Sequence, residues 1–344
     1  MKKTSFTIVV TTECNLNCTY CYEKHFNRAV MTREVAEKTV EFIKNKIKEN
    51  KLEYVIIRFH GGEPLLNTEV IKFIMDELET QPCKIGYFMT TNATLIKEEM
   101  LPFLRKIDAL SVSMDGTEEE HDRNRIDKGG KGTYQRVLEK VKLLLKYMPN
   151  LTARMTVTPD TYKNIYTNFI SLSELGIRNI DPFLDFTSDV WTSEMLAEYM
   201  NEMKKVAIYI KEKEKENITI RTAMIGTATT KTKNTLCGGG KTSFSITPEG
   251  NIYPCMEVAF NKAFLLGNVE AGCDNCELLE EIEKVGHERN KSCDGCGRYD
   301  YCMVTRCKIV NYAHTGDYNL PKPIMCANEH IKLGLEKYLI NLTI

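Results

Sequence analysis

Short runs of β-branched and aromatic residues alternate with helical periods of apolar residues from the amino terminus to about residue 215. The first run predicts a strand over residues 5–11. A helix is predicted to begin at Thr32, because apolar residues after it fall on one helical face, namely Val35, Ala36, Val40 and Ile43. Further strands are predicted over 54–59, 84–90, 109–113, 152–157 and 179–186, with helices over 68–79, 97–104, 133–147, 165–175 and 193–214. The pattern is therefore six strand-helix units.

Six consecutive units predict a parallel sheet, because each crossover returns the chain in the same direction. Six are too few for the closed barrel of eight. We therefore predict an α/β fold with a partial, open (β/α)6 TIM-like barrel over residues 1–225. Functional side chains are expected in the loops at the carboxyl ends of its strands.

The pattern changes at about Thr235 to glycine, cysteine and short irregular segments without a long apolar period. A region with so little regular core needs metal to order it. The sequence thus predicts a small cysteine-rich domain over residues 226–344, in which a helix at 330–342 packs back onto the barrel.

Charge is balanced, with 46 Lys and Arg against 47 Asp and Glu and a formal net charge of -1. No global field attracts phosphate or anionic lipid, so nucleic acid and membranes are not expected partners. The apolar run after the two amino-terminal lysines is too short and too polar for a signal peptide or a membrane span. We expect a cytoplasmic protein.

The 13 cysteines change this ordinary picture, because a reducing cytosol does not keep structural disulfides and an odd number cannot all pair. Three lie between residues 14 and 21, nine lie between 237 and 326, and Cys83 stands alone. Metal ligation is the better account of the two groups. Cys83 is expected to be a small buried apolar residue.

The first group is Cys14, Cys18 and Cys21, which follow the first strand with C-x3-C-x2-C spacing. Three thiolates this close can hold a cubane iron-sulfur cluster while one iron lacks a protein ligand. Zinc is the competing interpretation, but a structural zinc site needs four ligands and the next candidate is His25.

This spacing, with the aromatic Tyr20 before the last cysteine, resembles the radical S-adenosylmethionine (SAM) enzymes. The resemblance implies a 4Fe-4S cluster whose open iron chelates SAM. One electron then cleaves SAM to a 5'-deoxyadenosyl radical, which takes a hydrogen atom from the substrate. An electron donor such as ferredoxin or flavodoxin is implied as a partner.

Other motifs follow in the order that this family predicts. The resemblance implies that the GGEP turn approaches SAM, that Glu63 meets its amino group, that Ser113 of SMDG binds the ribose and that Arg154 pairs with the carboxylate. Asn92 is either a cofactor contact or a turn residue, and His121 and Arg125 are expected to brace a loop. The cofactor-binding candidates are Tyr20, Gly61, Gly62, Glu63, Pro64, Asn92, Ser113 and Arg154.

The second cysteine group strongly resembles the SPASM extension, which carries two auxiliary 4Fe-4S clusters in relatives. The resemblance assigns Cys237, Cys255 and Cys307 to one cluster and Cys293, Cys296, Cys302 and Cys326 to the other. Four residues rather than the usual three separate Cys302 from Cys307. The first set has three ligands, so its fourth iron is either open or bound by Cys273 or Cys276. Zinc remains an alternative for the C-x2-C pairs.

The resemblance implies a peptide or protein substrate and three 4Fe-4S clusters. We expect the enzyme to crosslink a ribosomally made peptide through a thioether or C-C bond. Formylglycine formation by an anaerobic sulfatase-maturing enzyme is an alternative, although Met256 replaces the usual aspartate after Cys255 and only Glu257 offers a candidate catalytic base. Epimerisation is a further alternative.

A multi-cluster electron carrier is the alternative outside enzymes, but it has no use for an open iron or for the GGEP turn. Because the first strand begins almost at once, no leader-binding domain is expected ahead of the barrel. Either a separate leader-binding protein delivers the peptide, or the barrel and the tail alone recognise the substrate.

Overall fold

The computed structural model describes residues 2–226 and 237–342. Six parallel strands lie side by side in chain order. They are β1 (Lys3–Thr11), β2 (Tyr54–Gly61), β3 (Lys84–Thr91), β4 (Ala109–Ser113), β5 (Thr152–Val157) and β6 (Asn179–Leu184). The helices of this half are α1 (Arg33–Asn50), α2 (Thr68–Leu78), α3 (Leu101–Leu104), α4 (Glu118–Asn124), α5 (Tyr134–Tyr147), α6 (Ile165–Glu174) and α7 (Ser193–Lys215).

Local sequence explains these boundaries. The α1 helix begins where the Thr32 hydroxyl accepts a hydrogen bond from the Val35 amide at 3.3 Å, and Thr192 caps α7 in the same way. Along β5, Ala153 and Met155 are buried while Arg154 between them is exposed. Alternate residues therefore pack under the helices, and the others face the open side of the sheet.

The core lies between the sheet and the helices. Its largest fully buried side chains include Phe6, Phe59 and Phe169 from β1, β2 and α6. The other face of the sheet is more polar and carries Arg58, Ser113 and Arg154. This face forms the concave side of the partial barrel, and the polar loops at the strand ends border it.

The carboxyl-terminal part extends the same sheet. Strand β7 (Ser243–Ile246) pairs with β1 in parallel, followed by antiparallel β8 (Asn251–Tyr253), β9 (Gly267–Asn268) and β10 (Gly272–Cys273). The order in the described chain is β10-β9-β8-β7-β1-β2-β3-β4-β5-β6, an open sheet with β10 and β6 at its edges. Helices α8 (Cys276–His287), α9 (Lys308–Thr315) and α10 (Pro323–Leu342) follow.

Apolar packing explains why this region is more regular than the sequence suggests. Phe244 of β7 stacks on Phe6 of β1, with ring centroids 5.5 Å apart, and Ile252 and Leu266 are fully buried in the same core. These strands are too short to show a period in the sequence. The expectation of a region without regular core is therefore wrong.

The predicted α/β architecture, with an open partial barrel, is confirmed. The last helix begins at Pro323, earlier than the predicted 330, and packs against α7. The domain boundary at 225/226 stays a prediction, and residues 227–236 lie outside the described residues. No helix within 2–226 or 237–342 is long and apolar enough to cross a membrane.

Candidate functional site

Residues 12–21, the cysteine loop, leave the carboxyl end of β1. The loop is tied to the segment after α4, because the Asn17 amide donates to the Ile126 carbonyl at 2.8 Å and the Thr19 amide donates to the Asn124 carbonyl at 2.9 Å. Cys14, Cys18 and Cys21 are partly buried on this loop, and all 13 cysteines of the chain have free thiols.

The three thiols of this loop act electrostatically on one another. Desolvation raises the pKa of Cys14 to about 11, and negative charge on Glu63, Cys18 and Cys21 adds to the shift. Desolvation also raises the pKa of Cys18, and Arg125 opposes this shift. Three thiolates in this space need cations, so the donor set suits the iron-sulfur cluster that the spacing predicts.

The GGEP turn at the end of β2 lies directly against the cysteine loop. The Gly62 amide donates to the Thr11 carbonyl at 3.1 Å, and the Glu63 amide donates to the Glu13 carbonyl at 2.8 Å. A Cβ at Gly61 would lie 2.0 Å from the Thr11 oxygen, and one at Gly62 would lie 2.4 Å from the Glu13 oxygen. Only glycine allows this approach.

The Glu63 carboxylate is buried and accepts three hydrogen bonds. They come from the Leu65 amide at 3.0 Å, the Thr91 hydroxyl at 2.7 Å and the Asn92 amide at 2.7 Å. Desolvation nevertheless raises the pKa of Glu63 to about 7. Pro64, also buried, begins the short turn that follows. Glu63 therefore joins the end of β2 to the end of β3.

Asn92 connects the end of β3 to the cysteine loop. Its side-chain amide donates to Asn15 Oδ1 at 2.9 Å and lies 3.8 Å from Cys14 Sγ. Its Oδ1 accepts from the Thr94 amide at 3.0 Å. Asn92 is thus both a turn residue and a contact of the first cysteine.

A buried ion pair lies against the cysteine loop on the other side. Arg125 donates from Nε to Asp115 Oδ2 at 2.9 Å and from Nη2 to Asp115 Oδ1 at 3.0 Å. The Tyr20 hydroxyl donates to the same Asp115 Oδ2 at 2.7 Å. His121 receives the Asp115 amide on Nδ1 at 3.4 Å. His121 and Arg125 therefore both hold the segment after β4 through Asp115, and Arg125 also lies over the Tyr20 ring of the cysteine loop.

Ser113 and Arg154 are neighbours across β4 and β5, and Asp181 of β6 is next in register. The Arg154 guanidinium lies 4.3 Å from the centroid of the Phe183 ring. Desolvation lowers the pKa of Arg154, while Asp181 and Tyr22 raise it. Both candidates thus lie on the concave face of the sheet, with Arg154 in electrostatic reach of the residue after Cys21.

Glu257 lies between the two cysteine regions. Desolvation raises the pKa of Tyr22, with further contributions from Glu23 and Glu257, and Glu257 also contributes to the raised pKa of Cys255. The Glu257 carboxylate is 55% exposed, and its Oε2 lies 3.9 Å from His314 Nε2 of α9. It is therefore a solvent-accessible carboxylate near Cys255 that acts electrostatically on Tyr22, the residue that follows Cys21.

Cys237, Cys255 and Cys307 form one electrostatic group. Desolvation raises the pKa of Cys255 to about 12 and that of Cys307 to about 11, and Cys237 adds to both shifts. The charged neighbours of Cys273 are instead Lys46, Asp274 and Glu49. The structure brings the first three together and places Cys273 toward α1, whereas Cys276 is exposed.

The second set lines one cavity. Cys293, Cys296, Cys302 and Cys326 surround it together with His330, whose Nε2 is 3.9 Å from Cys296 Sγ. Arg298 and Glu329, which also line the cavity, form a buried ion pair at 3.3 Å. Four cysteines around one cavity suit a fully ligated cubane cluster.

Within residues 2–226 and 237–342, no group of three or more His, Cys, Asp or Glu side chains is placed so that it could hold a metal ion. The isolated Cys83 packs against the core but is only partly buried, so the expectation of a buried residue is met only in part.

The sequence alone predicted no role for three residues of this site, Tyr22, Glu23 and His60. The His60 Nδ1 lies 3.3 Å from Glu23 Oε1. Their places in the sequence could have indicated a role, because Tyr22 and Glu23 directly follow Cys21 and His60 directly precedes the GGEP turn. Asp115 stood in a recognised motif, but its pairing with Arg125 and Tyr20 required the structure.

The chain is similar to several known proteins. The model of the radical SAM superfamily matches residues 8–167. An uncharacterised protein of Methanocaldococcus jannaschii is 31% identical over 60% of this chain and 73% of its own length. A cysteine-type anaerobic sulfatase-maturating enzyme of Clostridium novyi is 25% identical over 96% of this chain and 93% of its own. The solved structure of anSMEcpe with bound AdoMet has a TM-score of 0.80 at 21% identity and covers 98% of each chain.

Proposed function

The chain belongs to the radical SAM superfamily, and on that premise we propose that it modifies a peptide or protein by forming a crosslink to a cysteine sulfur. The observation that carries this proposal is the position of Glu257 between the Cys21 side and the Cys255 side of the molecule. A substrate placed there is near both proposed cluster sites and a carboxylate.

The peptide or protein class is supported by similarity along nearly the whole chain to a sulfatase-maturating enzyme, whose name specifies a protein substrate. The strand residues of the concave face include both a charged and an aromatic side chain, Arg154 and Phe183, which are in contact. An extended backbone with side chains of mixed polarity suits such a surface better than a small apolar ligand.

In this proposal Cys14, Cys18 and Cys21 hold a 4Fe-4S cluster that leaves one iron for SAM. The cofactor-binding residues would be Tyr20, Gly61, Gly62, Glu63, Pro64, Asn92, Ser113 and Arg154. Bound there, the cluster and SAM would supply a hydrogen-abstracting 5'-deoxyadenosyl radical, and auxiliary clusters would serve as acceptors for the surplus electron. The protein's own part is to hold the turn of Gly61 and Gly62 against the loop and to keep Arg154 available to a carboxylate.

Two auxiliary clusters are proposed. Cys293, Cys296, Cys302 and Cys326 would ligate one completely, and Cys237, Cys255 and Cys307 would ligate the other with one place left for a substrate sulfur. This second assignment is supported by the charged neighbours of Cys273, which are Lys46, Asp274 and Glu49.

Atoms balance in the crosslinking step as follows. One C–H bond and one S–H bond of the peptide break, and one C–S bond forms. The hydrogen atom would leave to the deoxyadenosyl radical, the thiol proton would leave to a base, for which Glu257 is the candidate, and the remaining electron would leave to an auxiliary cluster. The product therefore has two hydrogens fewer than the substrate.

Formylglycine formation is the second candidate, because the Clostridium novyi relative aligns over nearly the full length of both chains. That reaction on a cysteine removes sulfur and two hydrogens and adds oxygen. Met256 after Cys255 weighs against it, unless Glu257 serves as the base there.

Mass spectrometry of peptide products tests the proposal. Reconstituted protein is incubated anaerobically with SAM, dithionite and peptides encoded beside its gene, and a cysteine peptide of a sulfatase is run in parallel. Loss of two hydrogens together with loss of a free thiol supports crosslinking. Conversion of the sulfatase peptide to formylglycine would support the second candidate instead, and an unchanged mass with an inverted stereocentre would show epimerisation.

Replacement of Glu257 by glutamine tests its role as base. We expect peptide turnover to fall by about 10²-fold or more, since general bases contribute on the order of 10²–10⁴, while SAM binding stays intact. Glu249→Gln is the matched control, because Glu249 is an exposed glutamate of the same region. Equal turnover by both variants would remove Glu257 from the mechanism.

A further inference from the structure

The Asp115–Arg125 pair is more buried than its bracing role requires. Side-chain exposure is 8% for Arg125 and 3% for Asp115. The Asp115 carboxylate also accepts the Tyr20 hydroxyl at 2.7 Å and the Thr156 amide at 2.9 Å. A buried ion pair gives little net stability compared with apolar residues of the same size, because both charges lose their hydration. Its presence therefore calls for another explanation.

Both members of the pair contact Tyr20 of the cysteine loop, Asp115 at the hydroxyl and Arg125 at the face of the ring. The Arg125 guanidinium carbon is 5.3 Å from the centroid of the Tyr20 ring, between Cys18 and Cys21 in the chain. Solvent screens a buried charge weakly, so Arg125 acts on a neighbouring redox group more strongly than an exposed arginine would.

We propose that Arg125 is a positioning residue that raises the reduction potential of the cluster on Cys14, Cys18 and Cys21, and that Asp115 holds its guanidinium there. The inference rests on the proposed function, which places a cluster on these cysteines. Reduction adds a negative charge to the cluster, and a fixed positive charge nearby stabilises the reduced state. Surrounding charges and hydrogen bonds are known to set the potentials of such clusters.

The sign of the effect distinguishes an electrostatic role from a bracing role. Arg125→Met removes the positive charge and should make the potential more negative, whereas Asp115→Asn removes the negative charge and should make it less negative. The double variant should return toward the wild-type value, and Arg125→Lys should stay close to it. A pair that only braces the loop predicts shifts in the same direction for both single variants, or none.

The assay is an anaerobic redox titration of the full protein followed by electron paramagnetic resonance. The relevant signal is the one that changes on SAM addition and is lost when the three loop cysteines are alanine. We expect Arg125→Met to lower the ratio of reduced to oxidised cluster at a fixed potential about tenfold, equal to about 59 mV for one electron. Arg136→Met is the control, because Arg136 pairs with Asp127 at 2.8 Å but is 48% exposed, and it should leave the potential unchanged.

The results distinguish a failure of the proposed cluster from a failure of the proposed role of Arg125. Absence of a SAM-sensitive signal in the wild-type protein would refute the cluster itself and hence the proposed function. A normal signal with same-direction or absent shifts would refute only the role of Arg125. If Arg125→Met takes up no cluster, the sign for Asp115→Asn decides, since a shift to a less negative potential supports the inference and any other result overturns it.

Discussion

Gly62→Ala should separate the GGEP turn from the cysteine loop. The new Cβ would lie 2.4 Å from the Glu13 oxygen, 2.6 Å from the Glu13 carbon and 2.8 Å from the Thr12 oxygen. All three are backbone atoms, so no side-chain rotation relieves the contact. The two segments must move apart, and Glu13 is the residue next to Cys14.

The expected loss of stability in Gly62→Ala follows from the contacts that the substitution breaks. Two backbone hydrogen bonds join these segments, Gly62 to Thr11 at 3.1 Å and Glu63 to Glu13 at 2.8 Å. At about 1 kcal/mol each, with about 1–3 kcal/mol for the forced overlap, the variant should lose about 3–5 kcal/mol. Because the free energy of unfolding of a native protein is about 5–15 kcal/mol, we expect the variant to remain folded after this loss, with a displaced loop.

Iron content, SAM binding by calorimetry and thermal unfolding are measured anaerobically on the same preparations. We expect a lower unfolding temperature and SAM affinity reduced at least tenfold. Gly129→Ala is the control, because its nearest contact is the Asp127 side-chain oxygen at 3.3 Å in an exposed turn. If Gly62→Ala bound SAM as tightly as this control and unfolded at the same temperature, the close approach of the GGEP turn to the cysteine loop would not be needed for stability or for SAM binding.

Replacing the three cysteines of the cysteine loop by alanine should abolish 5'-deoxyadenosine formation and reduce iron from about twelve to about eight atoms per chain, measured by chromatography and iron analysis. Cys307→Ala should lose about four irons and Cys273→Ala none, so equal losses would contradict the proposed ligand set. Burial lowers the pKa of His121 to about 4. The native state then binds fewer protons than the unfolded state, so stability falls as pH drops from about 6.5 toward 4, by about 2 kcal/mol at pH 5. Thermal unfolding of His121→Gln should depend less on pH across this window than that of the wild type at equal iron content, and equal slopes would contradict the shift.

Strand positions could be predicted closely because each buried face repeats every second residue. The predicted 109–113 and 152–157 match β4 and β5 at both ends. The cysteine loop could be predicted for a similar reason, since local spacing decides whether three thiols can share one site. In both cases, the information lies within a few consecutive residues.

Pairings across the chain could not be predicted. Cys273 and Cys276 have the same C-x2-C spacing as Cys293 and Cys296. Only the second pair lines a cavity with two further cysteines, whereas Cys273 faces charges of α1. Sequence spacing shows that two neighbouring cysteines can bind at one metal site. The third and fourth ligands come from distant segments that only the fold brings close.

The pairing of β7 with β1 affects how the protein is made. Residue 5 is hydrogen-bonded in register with residue 243, so one edge of the first strand stays open while the ribosome synthesises most of the chain. An open edge of this kind can pair with other chains. The emerging amino-terminal half is therefore expected to depend on chaperones until β7 arrives, and truncation before residue 243 should give aggregation instead of a smaller soluble protein.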